Sequence, residues 1–445
     1  MGVLAVLGVA LRVHLGRTHE NLAPLVWEGW WRRPVRGIHD ETARMSVLDR
    51  IACAEGRVGA PPGFPALPDV PFERYRSRVF FEAEIDAVFG RTWLFIGHDS
   101  EFPGPGSYRT ADLPSGPVVV VRQKDGSIRA FVNACRHRGA PVVRSSSGVT
   151  RLLTCQFHSW CYDLAGELCR VPEERDFVDL EKGARNLTQI RCERWGSFIF
   201  VNFDPNASSL EEWISPIASR FSEFSAPELR LLRRSAHDIP CNWKVAVEAF
   251  LEVYHLKTVH PTTVAQLLNG RASAIQLHPH GHSTIYTPYN RAVLEASSDS
   301  MNWFGDLPKL PRIPEWLEAV NASALIFPNL VVPLESTGFP FLLFFPTSHN
   351  QTRFEIAWYA VDWGDDLPAA WPARLDGFDK VIEEDLVNLA PIQRSVECAR
   401  HHGIPLNYQE RRIWHFNCEV DRLLDAEHVF PALHLGDYLA GLVEP

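Results

Sequence analysis

Cys135-Arg136-His137 and Cys155-Gln156-Phe157-His158 set two thiols and two imidazoles in a C-x-H and then a C-x-x-H pattern, with seventeen residues between the clusters. A thiolate and an imidazole one or two residues apart suit the tip of a hairpin loop, so two such loops can close over one metal centre from opposite sides. Mixed Cys and His donors select zinc or iron–sulfur chemistry. Two Cys and two His also make an ordinary tetrahedral zinc site, although zinc fingers usually pair Cys with Cys and His with His. One Cys and one His in each loop better matches a two-iron, two-sulfide centre in which cysteines hold one iron and histidines the other. That ligation raises the potential above that of all-cysteine clusters.

Electrons held there need a destination, and a second constellation supplies one. Residues 242–255 combine good helix formers with apolar residues every three or four positions, which predicts an amphipathic helix with Asn242 as its N-cap. On that helix Glu248, Glu252 and His255 share one face, and an inward carboxylate and imidazole would be costly without a function. His260 follows five residues after His255, about 140° away on a regular helix. Pro261 disfavours the α region for His260, so the helix should end or distort there and let both imidazoles turn toward one ion. Two histidines and one carboxylate form the facial triad of non-haem Fe(II) oxygenases, with positions left open for O2. A candidate helix at 378–396 offers Glu383, Glu384 and Asp385 as the third ligand. Phe378, Val381, Ile382, Leu389, Ile392 and Val396 form an apolar stripe with Asp385 as its one acidic member, whereas Glu384 aligns with Lys380 and Asn388 on the polar face. Asp385 is therefore the expected ligand, with Pro391 weakening the helix beyond it.

In order and spacing, Cys135-Arg136-His137-Arg138-Gly139 and Cys155-Gln156-Phe157-His158-Ser159-Trp160-Cys161-Tyr162 closely resemble the cluster-binding segment of Rieske non-haem iron oxygenases. Trp160 and Tyr162 match the family, Trp160 as a neighbour of the cluster. Gln156 and Ser159 depart from it, Ser159 adding a hydroxyl where relatives carry Gly or Ala. The strand at 195–204 also has its counterpart there. Glu252-x-x-His255-x-x-x-x-His260-Pro261 is similar to the family's mononuclear iron motif, and an acid in a Glu-Asp context ahead of Gln393 is similar to its third ligand. The likeness covers residues 75–424.

This resemblance implies an α+β protein, with an all-β Rieske [2Fe–2S] domain and a helix-grip catalytic domain in which an antiparallel sheet curls around a long helix. It implies Cys135, His137, Cys155 and His158 as cluster ligands, and His255, His260 and Asp385 as ligands of a mononuclear non-haem Fe(II). O2 is the co-substrate, and NAD(P)H acts only through a partner reductase. In relatives electrons cross a subunit boundary of a head-to-tail trimer, where an acid bridges a histidine of each site. Glu252 matches that acid, with Glu248 behind it as a supporting carboxylate. Glu in place of the commoner Asp resembles the branch of homotrimers that includes oxidative demethylases; an α3β3 assembly is the other arrangement. The implied function is the oxygenase component of a multicomponent system, hydroxylating an apolar, aromatic substrate with electrons from a ferredoxin or flavin reductase. The alternatives are N- or O-demethylation or aliphatic C–H hydroxylation by a monooxygenase, a Rieske electron carrier without oxygen chemistry, and a zinc-stabilised binding protein. No G-x-G-x-x-G segment for NADH or flavin is visible.

Other conspicuous residues have plainer readings. His278, His280 and His282 alternate as on a strand face, but Pro279 and Gly281 between them indicate a loop or turn. His401 and His402 read as the cationic end of a helix ahead of Gly403. Cys53, Cys161, Cys169, Cys192, Cys241, Cys398 and Cys418 lack consistent spacing and read as small buried hydrophobes. An odd cysteine total together with iron ligands points to a reducing, cytoplasmic setting rather than a disulfide scaffold. Phe250, Leu267, Leu268, Phe327, Leu343 and Phe344 are candidates for a cavity wall, although such residues dominate any core.

A chain of 445 residues, 46% hydrophobic, exceeds one ordinary core and predicts two domains plus extensions. A net charge of −10 without a basic cluster argues against nucleic acid as a partner. The first eleven residues are apolar, but they lack a charged start and a cleavage pattern and are too few to span a bilayer. Residues 27–44 are rich in Trp and Arg and Met45 opens a more ordinary beginning, which suggests an over-extended reading frame. The expected division is an extension and linker at 1–74, Pro-rich and extended over 61–71, then a helix at 75–92 packing on the catalytic domain. The Rieske domain follows at 93–208, with strands such as 117–122 and 130–133 and a turn at 124–126. The catalytic domain occupies 209–445, with strands at 324–332, 339–345 and 353–360.

Overall fold

The computed structural model describes residues 45–444 except 222, 223, 225, 226, 291–306, 399 and 401, so the expectations for residues 1–44 and for His401 lie outside the described residues. In the first half, short strands form a seven-stranded antiparallel sheet in the order β2–β11–β10–β5–β4–β3–β6. Its members are β2 (Leu94–His98), β3 (Ser107–Leu113), β4 (Gly116–Arg122), β5 (Ile128–Val132), β6 (Ser147–Val149), β10 (Gln189–Trp195) and β11 (Phe198–Asn202). A three-stranded sheet of β7 (Leu153–Thr154), β8 (Cys161–Tyr162) and β9 (Leu168–Arg170) carries the second Cys/His loop. The unbroken valine run of β4 follows from burial on both faces. Val118 and Val120 enter the main core, while Val119 and Val121 enter a smaller one made with Phe131, Cys135, Cys155, Trp160 and Tyr162.

The second half is built on a seven-stranded antiparallel sheet, β12–β18–β17–β16–β15–β14–β13. These strands are β12 (Leu229–Ile239), β13 (Ala274–Leu277), β14 (Ser283–Pro288), β15 (Val320–Ile326), β16 (Leu330–Leu334), β17 (Gly338–Ser348) and β18 (Gln351–Val361). Four helices matter for the site: α5 (Trp243–Glu248), α6 (Leu256–Val259), α8 (Ala370–Glu397) and α9 (Arg411–Leu424). The 28-residue α8 lies on the sheet through Trp371 and Phe378, which meet Trp358 edge-on at 5.9 and 5.0 Å. The two halves join where Phe341 of β17 packs 4.6 Å from Phe95 and 4.8 Å from Phe198. Beside them Glu101 is held by Arg109, Arg234 and Tyr359. This is the expected combination of an all-β domain and an α+β domain.

Ahead of the first sheet run α1 (Val47–Glu55), β1 (Val70–Pro71), α2 (Glu73–Arg76) and α3 (Arg78–Glu84). Residues 61–71 are more than a spacer, because β1 pairs with β19 (Gly403–Ile404) and Val70 is fully buried. Helices α2 and α3 send Arg74, Tyr75 and Glu84 into the interior to Asn417, Glu248 and Lys244. Helix α4 (Leu210–Phe221) links the two sheets, and α7 (Val264–Leu267) follows the histidine segment.

Several expectations are corrected. The helix predicted over 242–255 stops at Glu248, after which the chain turns and resumes as α6 at Leu256. Within the break the Glu252 carboxylate binds the backbone N–H groups of Tyr254 and His255, which satisfies these donors without a continuous helix. The single strand expected at 324–332 is a hairpin of β15 and β16, since Pro328 lacks the N–H a strand must donate. Helix α8 continues through Pro391, anchored beyond it by buried Gln393 and Val396, whereas Ile392 of the predicted stripe is exposed. That helix ends before His402, whose carbonyl instead accepts the Phe72 N–H. Cys169 and Cys398 are exposed rather than buried.

Candidate metal centres

The two Cys/His loops are built alike. The Cys135 N–H donates to Ala140 O at 2.8 Å and the Gly139 N–H to Cys135 O at 2.9 Å; the Cys155 N–H donates to Trp160 O and the Ser159 N–H to Cys155 O, both at 2.9 Å. Each loop reverses at a residue of positive φ, Gly139 at 78° and Ser159 at 56°. Only glycine takes that conformation without cost, so Ser159 is a strained substitute at a glycine position. Cys135 and Cys155 are buried free thiols, His137 is half-buried and His158 exposed. The His137 ring stacks on buried Trp160 at 5.0 Å and 9° and meets the His158 ring at 4.7 Å.

Burial, followed by the His158 and Arg138 charges, lowers the His137 pKa and keeps its imidazole neutral. Its Nδ1 is buried and has no hydrogen-bond partner, an orphan that metal coordination would satisfy. The Cys135 thiol is raised, by burial first and also by Cys155, so two ionised sulfurs here require a compensating cation. Tyr162 places its hydroxyl 3.3 Å from Cys135 Sγ while accepting the Arg136 N–H at 3.0 Å. These donors fit a cluster. Among the described residues, His255, His260 and Asp385 form a second candidate group, its ligand atoms all within 4.8 Å of one another.

In that second group the break after Glu248 brings both imidazoles toward α8. The Nε2 atoms of His255 and His260 lie 3.5 and 2.9 Å from Asp385 Oδ1. Both Nδ1 atoms face carboxylates, His255 that of Glu252 and His260 that of Glu384 at 2.6 Å. A neutral imidazole bonded this way carries its proton on Nδ1 and its lone pair on Nε2, the form that binds a metal. Burial acts to lower both histidine pKa values, but the surrounding carboxylates outweigh it and both are raised. Asp385 is buried on the inner side of α8. Gln393, two turns on, accepts the Asn242 N–H at 2.9 Å and ties the aspartate helix to the start of the histidine segment.

Glu248 sits elsewhere. Its carboxylate accepts from Tyr75 and Asn417 inside a buried network that also holds Arg74, Asp421, Lys244 and Glu84, and burial pushes its pKa up to about 7. Glu384 and Thr263 were not singled out by the sequence. Glu384 aligned with the polar face of its helix, and its partner His260 is 124 residues away. The 278–282 run forms a 3-10 turn in which His282 bonds the Trp213 carbonyl and the Phe327 N–H, so its role is internal support. Phe327, Leu343, Phe344 and Leu268 are buried, and Phe250 packs against Phe344 and Phe354.

Paired Cys/His loops in one domain and a triad of two histidines and a carboxylate in a second, α+β domain are the donor sets that suit a Rieske cluster and a mononuclear iron. Residues 92–189 match the Rieske [2Fe-2S] domain family and residues 227–426 the ring hydroxylating alpha subunit (catalytic domain) family. Together the two matches give the chain a Rieske [2Fe-2S] domain followed by a ring hydroxylating alpha subunit catalytic domain. It is 31% identical over 230 residues to the carnitine monooxygenase oxygenase subunit of Acinetobacter pittii, covering 50% of this chain and 60% of that one. It is 32% identical over 268 residues to the biphenyl dioxygenase subunit alpha of Metapseudomonas furukawaii, covering 56% and 57%. The chain thus matches less than two thirds of the length of either relative. The fold also resembles a solved quaternary ammonium Rieske monooxygenase (TM-score 0.68, 23% identity, 80% of this chain and 95% of that one). Naphthalene 1,2-dioxygenase from Rhodococcus sp. is similar too (TM-score 0.65, 22% identity, 81% and 95%).

Proposed function

We propose that the protein is the oxygenase component of a multicomponent system that uses O2 to hydroxylate an apolar, aromatic organic substrate. Electrons come from NAD(P)H through a separate flavin reductase, directly or by way of a ferredoxin. The observation that carries this reading is the convergence of His255 Nε2, His260 Nε2 and Asp385 Oδ1, with both Nδ1 atoms occupied by carboxylates, in a chain that also holds the paired Cys/His loops. Iron bound by the triad would activate O2 beside the substrate. Cys135, His137, Cys155 and His158 would hold the cluster that stores the electrons, with Trp160 stacked behind His137.

Glu252 is the electron-transfer bridge in this reading, fastened to His255 Nδ1. A head-to-tail homotrimer would set the cluster edge of one copy beside Glu252 of the next. Two exposed aromatics support that contact: Phe157 stands 52% exposed at the cluster loop and Tyr254 62% exposed beside Glu252. A cytoplasmic setting is supported by the free cysteines, and among the described residues no helix is long and apolar enough to cross a membrane.

A second reading, a monooxygenase performing N- or O-demethylation or aliphatic C–H hydroxylation, is favoured by Glu252 and by the similarity to the carnitine monooxygenase oxygenase subunit. Turnover under labelled O2 with a reductase tests both. A cis-diol carrying two labelled atoms establishes ring dioxygenation, formaldehyde release establishes demethylation, and no oxygenated product from any substrate class refutes the proposal.

A further inference from the structure

Glu384 immediately precedes Asp385 on α8, yet the two carboxylates reach different edges of one ring. Glu384 Oε2 accepts the Nδ1 proton of His260 at 2.6 Å, while Asp385 Oδ1 faces Nε2 of the same imidazole at 2.9 Å. Adjacent helical residues project about 100° apart, so this grip requires the ring to stand over the helix between them. The Thr263 hydroxyl donates to the same Glu384 oxygen at 2.7 Å, and the Thr263 N–H turns back to His260 O at 3.3 Å. Ring, carboxylate and hydroxyl thus close a circuit that begins and ends at His260. Its counterpart on the other histidine is Glu252, which binds His255 Nδ1 from within its own loop.

We propose that Glu384, oriented by Thr263, is the positioning residue of His260. It fixes the Nδ1–H tautomer and the ring plane, so that the Nε2 lone pair points at the metal. This rests on the reading of His255, His260 and Asp385 as a metal site. Each histidine then has a private carboxylate: Glu252, itself 11% exposed, at the half-buried ring of His255, and Glu384, 28% exposed, behind a ring only 3% exposed. Outer carboxylates of this kind raise ligand basicity and hold orientation, and losing one typically weakens metal binding by about 10- to 100-fold.

The test uses the full chain with its cluster loaded and the mononuclear site emptied by chelation, with Co(II) as the probe. Wild type is expected to take up Co(II) with visible d–d absorption that His260→Ala abolishes; no such uptake would overturn the metal reading itself. Given that uptake, Glu384→Ala should bind Co(II) about 10- to 100-fold more weakly and with a shifted d–d spectrum. Glu384→Gln, which keeps an acceptor oxygen, should show an intermediate loss and Thr263→Val a smaller one, with cluster absorption and thermal midpoint at wild-type values. Wild-type affinity and spectrum in Glu384→Ala would overturn the positioning role, as would an affinity loss seen only together with a lowered midpoint or a damaged cluster.

Discussion

Replacing Tyr162 with Phe removes one hydroxyl from the cluster loops and should lower the reduction potential of the cluster. The phenol oxygen accepts the Arg136 N–H at 3.0 Å, which leaves its own proton to point at Cys135 Sγ, 3.3 Å away. Burial, and then the bond to Cys135, push the phenol pKa far above its ordinary value, so the donor stays protonated across the working pH range. Reduction adds negative charge to the cluster and strengthens this bond. A hydrogen bond to a charged group contributes about 1.5–3 kcal/mol, and because it exists in both redox states only the difference counts, about 1 kcal/mol. For a one-electron couple 59 mV corresponds to a tenfold change in equilibrium, so that difference lowers the midpoint by about 40 mV. A redox titration of Tyr162→Phe against wild type, followed by circular dichroism or electron paramagnetic resonance, reads it directly. An unchanged or higher midpoint in an intact cluster would refute the assignment of Cys135 as an iron ligand bonded to Tyr162.

Glu252→Gln, which keeps an acceptor oxygen at His255, should still hold cluster and mononuclear metal when iron is supplied in excess but lose coupled turnover by at least about tenfold; product formed per NADH consumed reads this, and full coupling would refute the bridge. Lys244→Met strands the Glu84 carboxylate, whose partner ammonium lies 2.5 Å away with both groups fully buried. It should cost about 3–5 kcal/mol, a thermal midpoint drop of roughly 10 °C, and adding Glu84→Gln should recover most of it. A double variant no more stable than Lys244→Met would refute the coupling. Glu248 has a folded pKa of about 7 against an ordinary 4.5, so the folded state binds its proton more tightly and this contribution to stability is lost as pH rises between those values. Denaturation of wild type and Glu248→Gln from pH 5 to 8 should show the wild type losing up to about 3 kcal/mol relative to the variant. A pH-independent difference would contradict the raised value.

Which features were legible in the sequence follows the range of the interactions that make them. The Cys/His loops close within six residues through backbone bonds from Cys135 to Ala140 and from Cys155 to Trp160, so their spacing alone betrayed them. Asp385 was found because burial of one acid interrupts a helical stripe. The 242–255 helix was misread because propensity and periodicity do not show where a side chain satisfies the backbone without a helix, as Glu252 does at Tyr254 and His255. Pro391 was overweighted because the contacts that hold the last turns of α8, such as Gln393 with Asn242, come from a distant segment. Glu384 lay on a face that local pattern marks as solvated, and only the folded chain shows that His260 covers it.

The most direct measurement is the metal and acid-labile sulfide content of protein purified without oxygen. A cluster and a mononuclear centre in each chain require about three irons and about two sulfides, with the third iron lost in Asp385→Ala. About two irons with two sulfides would leave an electron carrier without an oxygenase site, and zinc without sulfide would contradict both centres.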